Sequence, residues 1–310
     1  MKKIITMIMA LTLTIILAAC STEASSETDN DKQNLVVTTT FINDMVSVLD
    51  EGIDGYNVEM IIPAGEDPHV YEPKASDLSV LGDADTVLYH GLNFEGRMAD
   101  VLEEGVSITD DFNTDHLTTM EDDEGGSETD PHFWFDIELY KQAVTKVKDT
   151  LIENNPEAED AYEQNYDNYI KELDELKTYV SDRVEEIPKE SRILVTPHDA
   201  FQYLEKTQDI DVHAPQGFST DSEVSNNQIE ETANLIADNN IKAIFVETTT
   251  NPDRMTRLQE IVESKGGSVE VVNSDDEKLL SDSLAVEGEA GDTFIGMYRH
   301  NIDTIVDNLK

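Results

Sequence analysis

The chain has one cysteine among 310 residues, so an internal disulfide is unavailable to it. It is also poor in positive charge: 21 basic residues face 67 acidic ones, a formal charge of -46. Such a surface repels nucleic acid and anionic membrane faces and draws cations inward, which removes nucleic-acid binding from the candidate functions. Dispersed acidity is equally the solvation device of a protein working in high salt. No Gly-rich phosphate loop follows any early strand, which disfavours a single dinucleotide-binding domain, and no solenoid-type repeat is present. Tryptophan occurs once and histidine seven times. What remains is ample for folding, since 38% hydrophobic content over this length supports one large domain or two ordinary ones.

Lys2 and Lys3 precede an apolar run from Ile4 to Leu17, too short to span a membrane comfortably and arranged as a secretory signal over residues 1–19. The run ends in "LAAC", which resembles the bacterial lipobox, and Cys20 would then carry lipid at the mature N-terminus. The stretch "STEASSETDNDKQN" has almost no apolar residues, so residues 20–34 read as a lipidated cysteine and a disordered tether.

From Leu35 the pattern is βα. "LVVTTT", "VEMIIP" and "ADTVLYH" read as strands, with helices at 41–49 and 75–81, making an N-terminal α/β lobe over residues 35–155. Between Asp110 and Asp130 apolar periodicity is lost and acids gather around Gly125-Gly126, the mark of a mobile surface loop. Tyr162, Tyr166, Ile170, Leu173, Leu176, Val180, Val184 and Ile187 recur at helical spacing, so residues 156–187 are expected to form one long linking helix. After Pro188 the pattern restarts with strands in "RILVTP", "IKAIFVET" and around Val269–Val272, and helices in "HDAFQYLEK" and "PDRMTRLQEIVESKG". The fold class is therefore α/β: two Rossmann-like lobes, parallel sheets flanked by helices, joined by one long rigid helix, the second lobe covering 188–310.

Asp67-Pro68-His69 and Asp130-Pro131-His132 use the same tripeptide. Proline fixes its own φ and pushes the preceding residue into an extended conformation, so each histidine leaves a stiff, non-helical corner. His69 follows the carboxyl end of a strand, where open α/β sheets bind ligands, and His198 follows "ILVTP" in the same way. Asp282 in "KLLSDSLAVEG" is the fourth candidate, giving three imidazoles and one carboxylate across a cleft. Around them, Trp134 in "HFWFD" is placed to steady His132 or simply to fill the core, His90 ends a strand close by, and Glu247 ends "IFVE". His116 belongs to the acidic loop, and His213 and His300 are read as structural.

The stretches "AGEDPHVYEP", "GLNFEG", "DPHFWFD", "TPHDAFQYL", "QGFSTDSEVS", "IFVETTT" and "LLSDSLAVEGEAGDTFIGMYRHN" occur in that order across nearly the whole mature chain. Together they resemble the metal-binding lipoproteins of manganese and zinc ABC transporters, the family that includes the adhesin-like proteins of Gram-positive bacteria. The resemblance implies a non-catalytic, extracytoplasmic protein anchored through Cys20 to the outer face of the cell membrane. It would hold manganese(II) or zinc(II) with His69, His132, His198 and Asp282 and deliver it to a permease driven by an ATPase, as a monomer. Two departures bear on the cargo. The histidine-rich insertion of zinc-specific members is replaced by an acidic loop holding His116 alone, while His198 occupies a place where many manganese members have glutamate. "QGFSTDSEVS" and the C-terminal block favour manganese, whereas nitrogen and oxygen donors bind zinc more tightly than manganese whatever the cargo. Two other classes compete with this reading: a secreted metallohydrolase with Glu247 as base, and a surface adhesin.

Overall fold

Leu35, Val36 and Val37 are all buried, a continuous apolar run of the kind that forms a strand covered on both faces. They belong to β1 (Gln33–Val37), which lies inside a four-stranded sheet between β2 (Tyr56–Met60) and β3 (Thr86–Tyr89), with β4 (Val106–Ser107) beyond β3. The β1–β3 and β3–β4 pairings are parallel, Leu35 opposite Thr86 and Leu88 opposite Val106. This computed structural model describes residues 32–121 and 127–310, and residues Asn34–Lys310 form one compact unit. The signal segment, Cys20, most of the tether and residues 122–126 of the acidic segment lie outside the described residues.

Helices α1 (Thr40–Leu49), α2 (Ala75–Asp83) and the short α3 (Ala99–Leu102) connect these strands. The acidic segment expected as plain loop carries a small antiparallel ladder, β5 (Thr119–Glu121) with β6 (Ser127–Thr129), Thr119 facing Thr129. Helix α4 (Ile137–Asn154) follows; Pro156 opens a single 3₁₀ turn, where its missing N–H costs nothing, and α5 (Glu159–Val184) runs on for 26 residues. At 1.5 Å per residue α5 is about 39 Å long. It packs against α1 and α4 on one side of the sequence and the C-terminal α9 (Phe294–Leu309) on the other.

The apolar stripe of α5 differs from expectation in its middle. Tyr162, Leu173, Leu176, Val180 and Val184 are buried, but Tyr166 and Ile170 are only half-buried and Tyr169 takes the core position. The Tyr169 hydroxyl finds polar partners inside, 3.2 Å from the Tyr140 hydroxyl and donating to Asp44 at 3.3 Å.

The second parallel region consists of two ladders, β7 (Ile193–Val195) with β8 (Asp211–His213) and β9 (Ala243–Phe245) with β10 (Glu270–Val272), β7 packing beside β9. Helices α6 (Gln202–Gln208), α7 (Asn226–Asn239) and α8 (Asp253–Ser264) cover it. The expected helix in "HDAFQYLEK" begins only at Gln202, because His198 makes a strand-like bridge to Gln216 that extends the β7–β8 ladder.

Asp44 supplies a stability prediction. Burial is the largest influence on its carboxyl and raises it to about 6 from 3.8, against hydrogen bonds from the Phe294 N–H and Tyr169. Between those values the folded chain keeps a proton that the unfolded chain has lost. Stability tied to this group is therefore complete below the unfolded value and falls as pH rises through about 6, by up to ~3 kcal/mol. Asp44→Asn keeps an acceptor oxygen without the charge. Denaturant melts are expected to show the variant gaining on the order of 1–2 kcal/mol at pH 7.5 and nothing at pH 4. An equal difference at both pH values would refute the assignment.

Candidate metal centre

Four side chains from four separate loops meet in the interior. His69, His132, His198 and Asp282 are all buried, and each offers a ligand atom within 4.8 Å of the other three. His69 follows β2, and His198 leaves the carboxyl end of β7. His132 stands just before a 3₁₀ turn, Phe133–Phe135, and Asp282 lies in the irregular chain between β10 and α9.

Two of the imidazoles are braced from behind by carboxylates. His132 places Nδ1 2.7 Å from Asp130 Oδ1, which also accepts the His132 backbone N–H at 2.9 Å. His198 Nδ1 lies 2.5 Å from Glu247 Oε2, and Ser281 donates to the same oxygen at 3.3 Å. These contacts aim the Nε2 atoms inward, where a carboxylate partner raises ligand basicity. His132 Nε2 is 3.3 Å from Asp282 Oδ1 and His198 Nε2 is 3.3 Å from Asp282 Oδ2. His69 Nε2 faces His132 Nε2 at 3.3 Å.

The donors fit a divalent ion. Asp282 Oδ1 and His198 Nε2 are buried without a hydrogen-bond partner, a costly state for polar atoms unless a cation completes them. The carboxylates favour positive charge at this point, carried by imidazole protons that a divalent ion would displace. Burial alone would raise the Asp282 carboxyl, but His198 and His132 hold it well below the usual range. Burial opposes charge on His132, yet Asp130 and Asp282 hold it up at about 9; Glu247 and Asp282 likewise keep His198 well above an ordinary imidazole. His69 has Asp282 nearby but is dominated by burial and falls to about 3, so it is neutral and ready to ligate.

Of the other residues singled out in the sequence, Glu247 touches His198 directly. Trp134 is fully buried, its ring 5.3 Å from that of His132, and it donates to the Ser281 carbonyl at 3.0 Å. His90 stands one layer back, its Nε2 2.7 Å from the Thr39 hydroxyl and its ring among Phe41, Phe94, Phe133 and Trp134. His116, His213 and His300 remain outside the group. The His116 carbonyl accepts from Lys206, His213 lies 3.1 Å from Asp211, and His300 bonds the Lys278 carbonyl.

Sequence reasoning missed several contributors. In "GLNFEG", Gly91, Leu92 and Asn93 all have positive φ, a rare succession for non-glycine residues, and a Cβ at Gly91 would come within 2.3 Å of Ser107 Oγ. The turn delivers Phe94, whose ring lies 5.0 Å from that of His69. Glu95 is buried and accepts from Thr38 and from the His90 N–H. Tyr203 donates to the Asp130 carbonyl at 3.0 Å, and Asp67 accepts both from the His69 N–H and from Thr220. For Asp67 and Asp130, their shared place two residues before His69 and His132 was the available signal.

The model of the zinc-uptake complex component A periplasmic family matches residues 35–308. The zinc-binding protein TroA of Treponema pallidum is 33% identical over 289 residues, covering 91% of each chain. The manganese-binding lipoprotein MntA of Bacillus subtilis is 32% identical over 305 residues, covering 96% of each. A solved structure of TroA, studied for its metal-binding specificity, superposes with a TM-score of 0.88 at 52% identity, covering 90% of this chain and 100% of its own. The periplasmic zinc-binding TroA of Treponema pallidum gives 0.84 at 33%, covering 90% and 99%. With four buried donors at the meeting of its loops and this match over almost its whole folded length, the chain belongs to the zinc-uptake complex component A family, the metal-binding substrate-binding proteins of ABC transporters.

Proposed function

We propose that the protein captures manganese(II) through His69, His132, His198 and Asp282 and hands it to an ABC permease and its ATPase, without catalysing a reaction. The observation that carries the choice of cargo is Asp282, which turns both oxygens toward the imidazoles, one 3.3 Å from His132 and the other 3.3 Å from His198. A carboxylate able to chelate through two oxygens suits a larger, harder ion better than a zinc tetrahedron. Zinc is the second reading, favoured by three nitrogen donors and by the affinity order of divalent metals. Hydrolysis is not supported, because Glu247 stands behind His198 on the side away from the converging Nε2 atoms. Residues 35–155 and 188–310 serve as the two lobes and 156–187 as the connecting helix; secretion through residues 1–19 and lipid on Cys20 would hold a monomer at the outer face of the cell membrane of a Gram-positive cell.

Chelator-stripped protein melted with manganese and with zinc tests the site. Ligand at a hundred times its dissociation constant adds ~2.7 kcal/mol, so both ions are expected to raise the midpoint by several degrees. In cells lacking the protein, added manganese should restore growth and zinc should not, and Cys20→Ala should shift the protein from membrane to medium. No thermal response to either ion would remove the metal reading, and rescue by zinc alone would reverse the cargo.

A further inference from the structure

Asp282 meets two kinds of partner. Its Oδ1 stands 3.3 Å from His132 Nε2 and its Oδ2 3.3 Å from His198 Nε2, while the hydroxyl of Thr249 donates to Oδ2 at 3.1 Å. The two imidazole contacts do not outlast metal binding in this form. An Nε2 that gives its lone pair to an ion has no proton left to turn toward the carboxylate. Among the described residues, Thr249 is then the side-chain donor that remains on Asp282.

The chain is built to bring that hydroxyl there. Just beyond β9, Glu247 pairs with Leu279 as in a parallel strand, and the Thr248 N–H donates to the Leu279 carbonyl at 2.9 Å. Residues two apart on an extended chain share a face. Accordingly Glu247 reaches Nδ1 of His198 and Thr249 reaches Asp282. Ser281 joins the two, its hydroxyl donating to Glu247 Oε2 at 3.3 Å and lying 3.5 Å from the Thr249 hydroxyl. One extended segment thus supports two of the four donors. The support matters most for Asp282. The terminal torsion of an aspartate is broad and soft, so without an outside donor the carboxylate plane turns at little cost. A zinc tetrahedron is complete with one oxygen and tolerates that turning, whereas a larger ion chelated by both oxygens loses a bond.

We infer that Thr249 is a positioning residue that holds both oxygens of Asp282 toward the ion and so biases the site toward manganese(II) over zinc(II). The inference deepens the manganese reading above and rests on it.

The test is titration calorimetry of chelator-stripped protein with manganese and, in competition with a chelator, with zinc. Thr249→Val keeps the shape and removes the hydroxyl. It should weaken manganese binding about tenfold, the lower end for a group that orients a metal ligand, and leave zinc within about threefold. The ratio of the two affinities is therefore what is read, because a bond that merely held the fold together would move both ions alike. Thr249→Ser, which keeps the hydroxyl, should restore the wild-type ratio. Equal losses for both ions, unchanged manganese binding, or a serine variant that behaves like Thr249→Val would overturn the role of Thr249. A wild-type protein that binds zinc but not manganese would instead overturn the manganese reading, and one that binds neither ion would overturn the metal site itself.

Discussion

Asp282→Asn is expected to abolish metal binding, with affinity for manganese and zinc falling by more than about a hundredfold, beyond the usual cost of losing a residue that merely supports a ligand. Asp282 is the one anionic donor of the group, and it lies between His132 and His198. An amide of the same shape can still accept the Thr249 hydroxyl, which now donates to Oδ2 at 3.1 Å. What it cannot supply is the negative charge that offsets the desolvation of a divalent cation in a buried site. Titration calorimetry should show no heat of binding at micromolar protein, and the metal-induced rise in melting point should vanish while the far-ultraviolet dichroism of the metal-free protein is kept. Affinity within tenfold of wild type would mean that the ion sits on the imidazoles alone.

The three converging histidines were legible in the sequence because backbone chemistry marks them. Each of His69, His132 and His198 follows a proline, and the βα rhythm puts His69 and His198 in the loops after strand ends. Less legible was whatever depends on partners distant in sequence. Nothing local to "GEDPH" says that Asp67 bonds Thr220, or that the matching Asp130 bonds its own ring instead. Tyr169 displaced Tyr166 and Ile170 from the core side of the long helix because Tyr140 and Asp44, on two other helices, satisfy its hydroxyl; helical spacing weighs apolar bodies and is blind to that. The late start of α6 has the same origin, since the bridge from His198 to Gln216 holds the first residue of the apparent helix in a strand-like pairing and the helix begins only four residues on. Strands β4 and β8, two and three residues long, are too short to show a period of two.

Trp134 ties this distant packing to the metal and should carry the largest stability effect. Its ring stacks on Phe41 with centroids 4.6 Å apart and meets Phe94 edge-on at 4.9 Å, with His90 and His132 both at 5.3 Å. Its Nε1 donates to the carbonyl of Ser281, the residue before Asp282. A first-half aromatic layer thus fixes the backbone of a second-half ligand. Trp134→Ala leaves a large cavity in that layer and should cost about 3–5 kcal/mol, lowering the metal-free melting point by roughly 10 °C. Trp134→Phe isolates the second role, because it fills most of the space and removes only the indole donor. The buried Ser281 carbonyl then loses that bond, at about 1–3 kcal/mol, and Asp282 loses its alignment. Trp134→Phe is therefore expected to weaken metal binding by a factor of about 10, the lower end for a residue that orients a ligand, while melting well above Trp134→Ala. If Trp134→Phe binds metal as tightly as wild type, the tryptophan is a core filler alone and the alignment of Asp282 rests on Thr249 and on Asn301, whose side chain bonds the Leu280 backbone on both its N–H and its carbonyl.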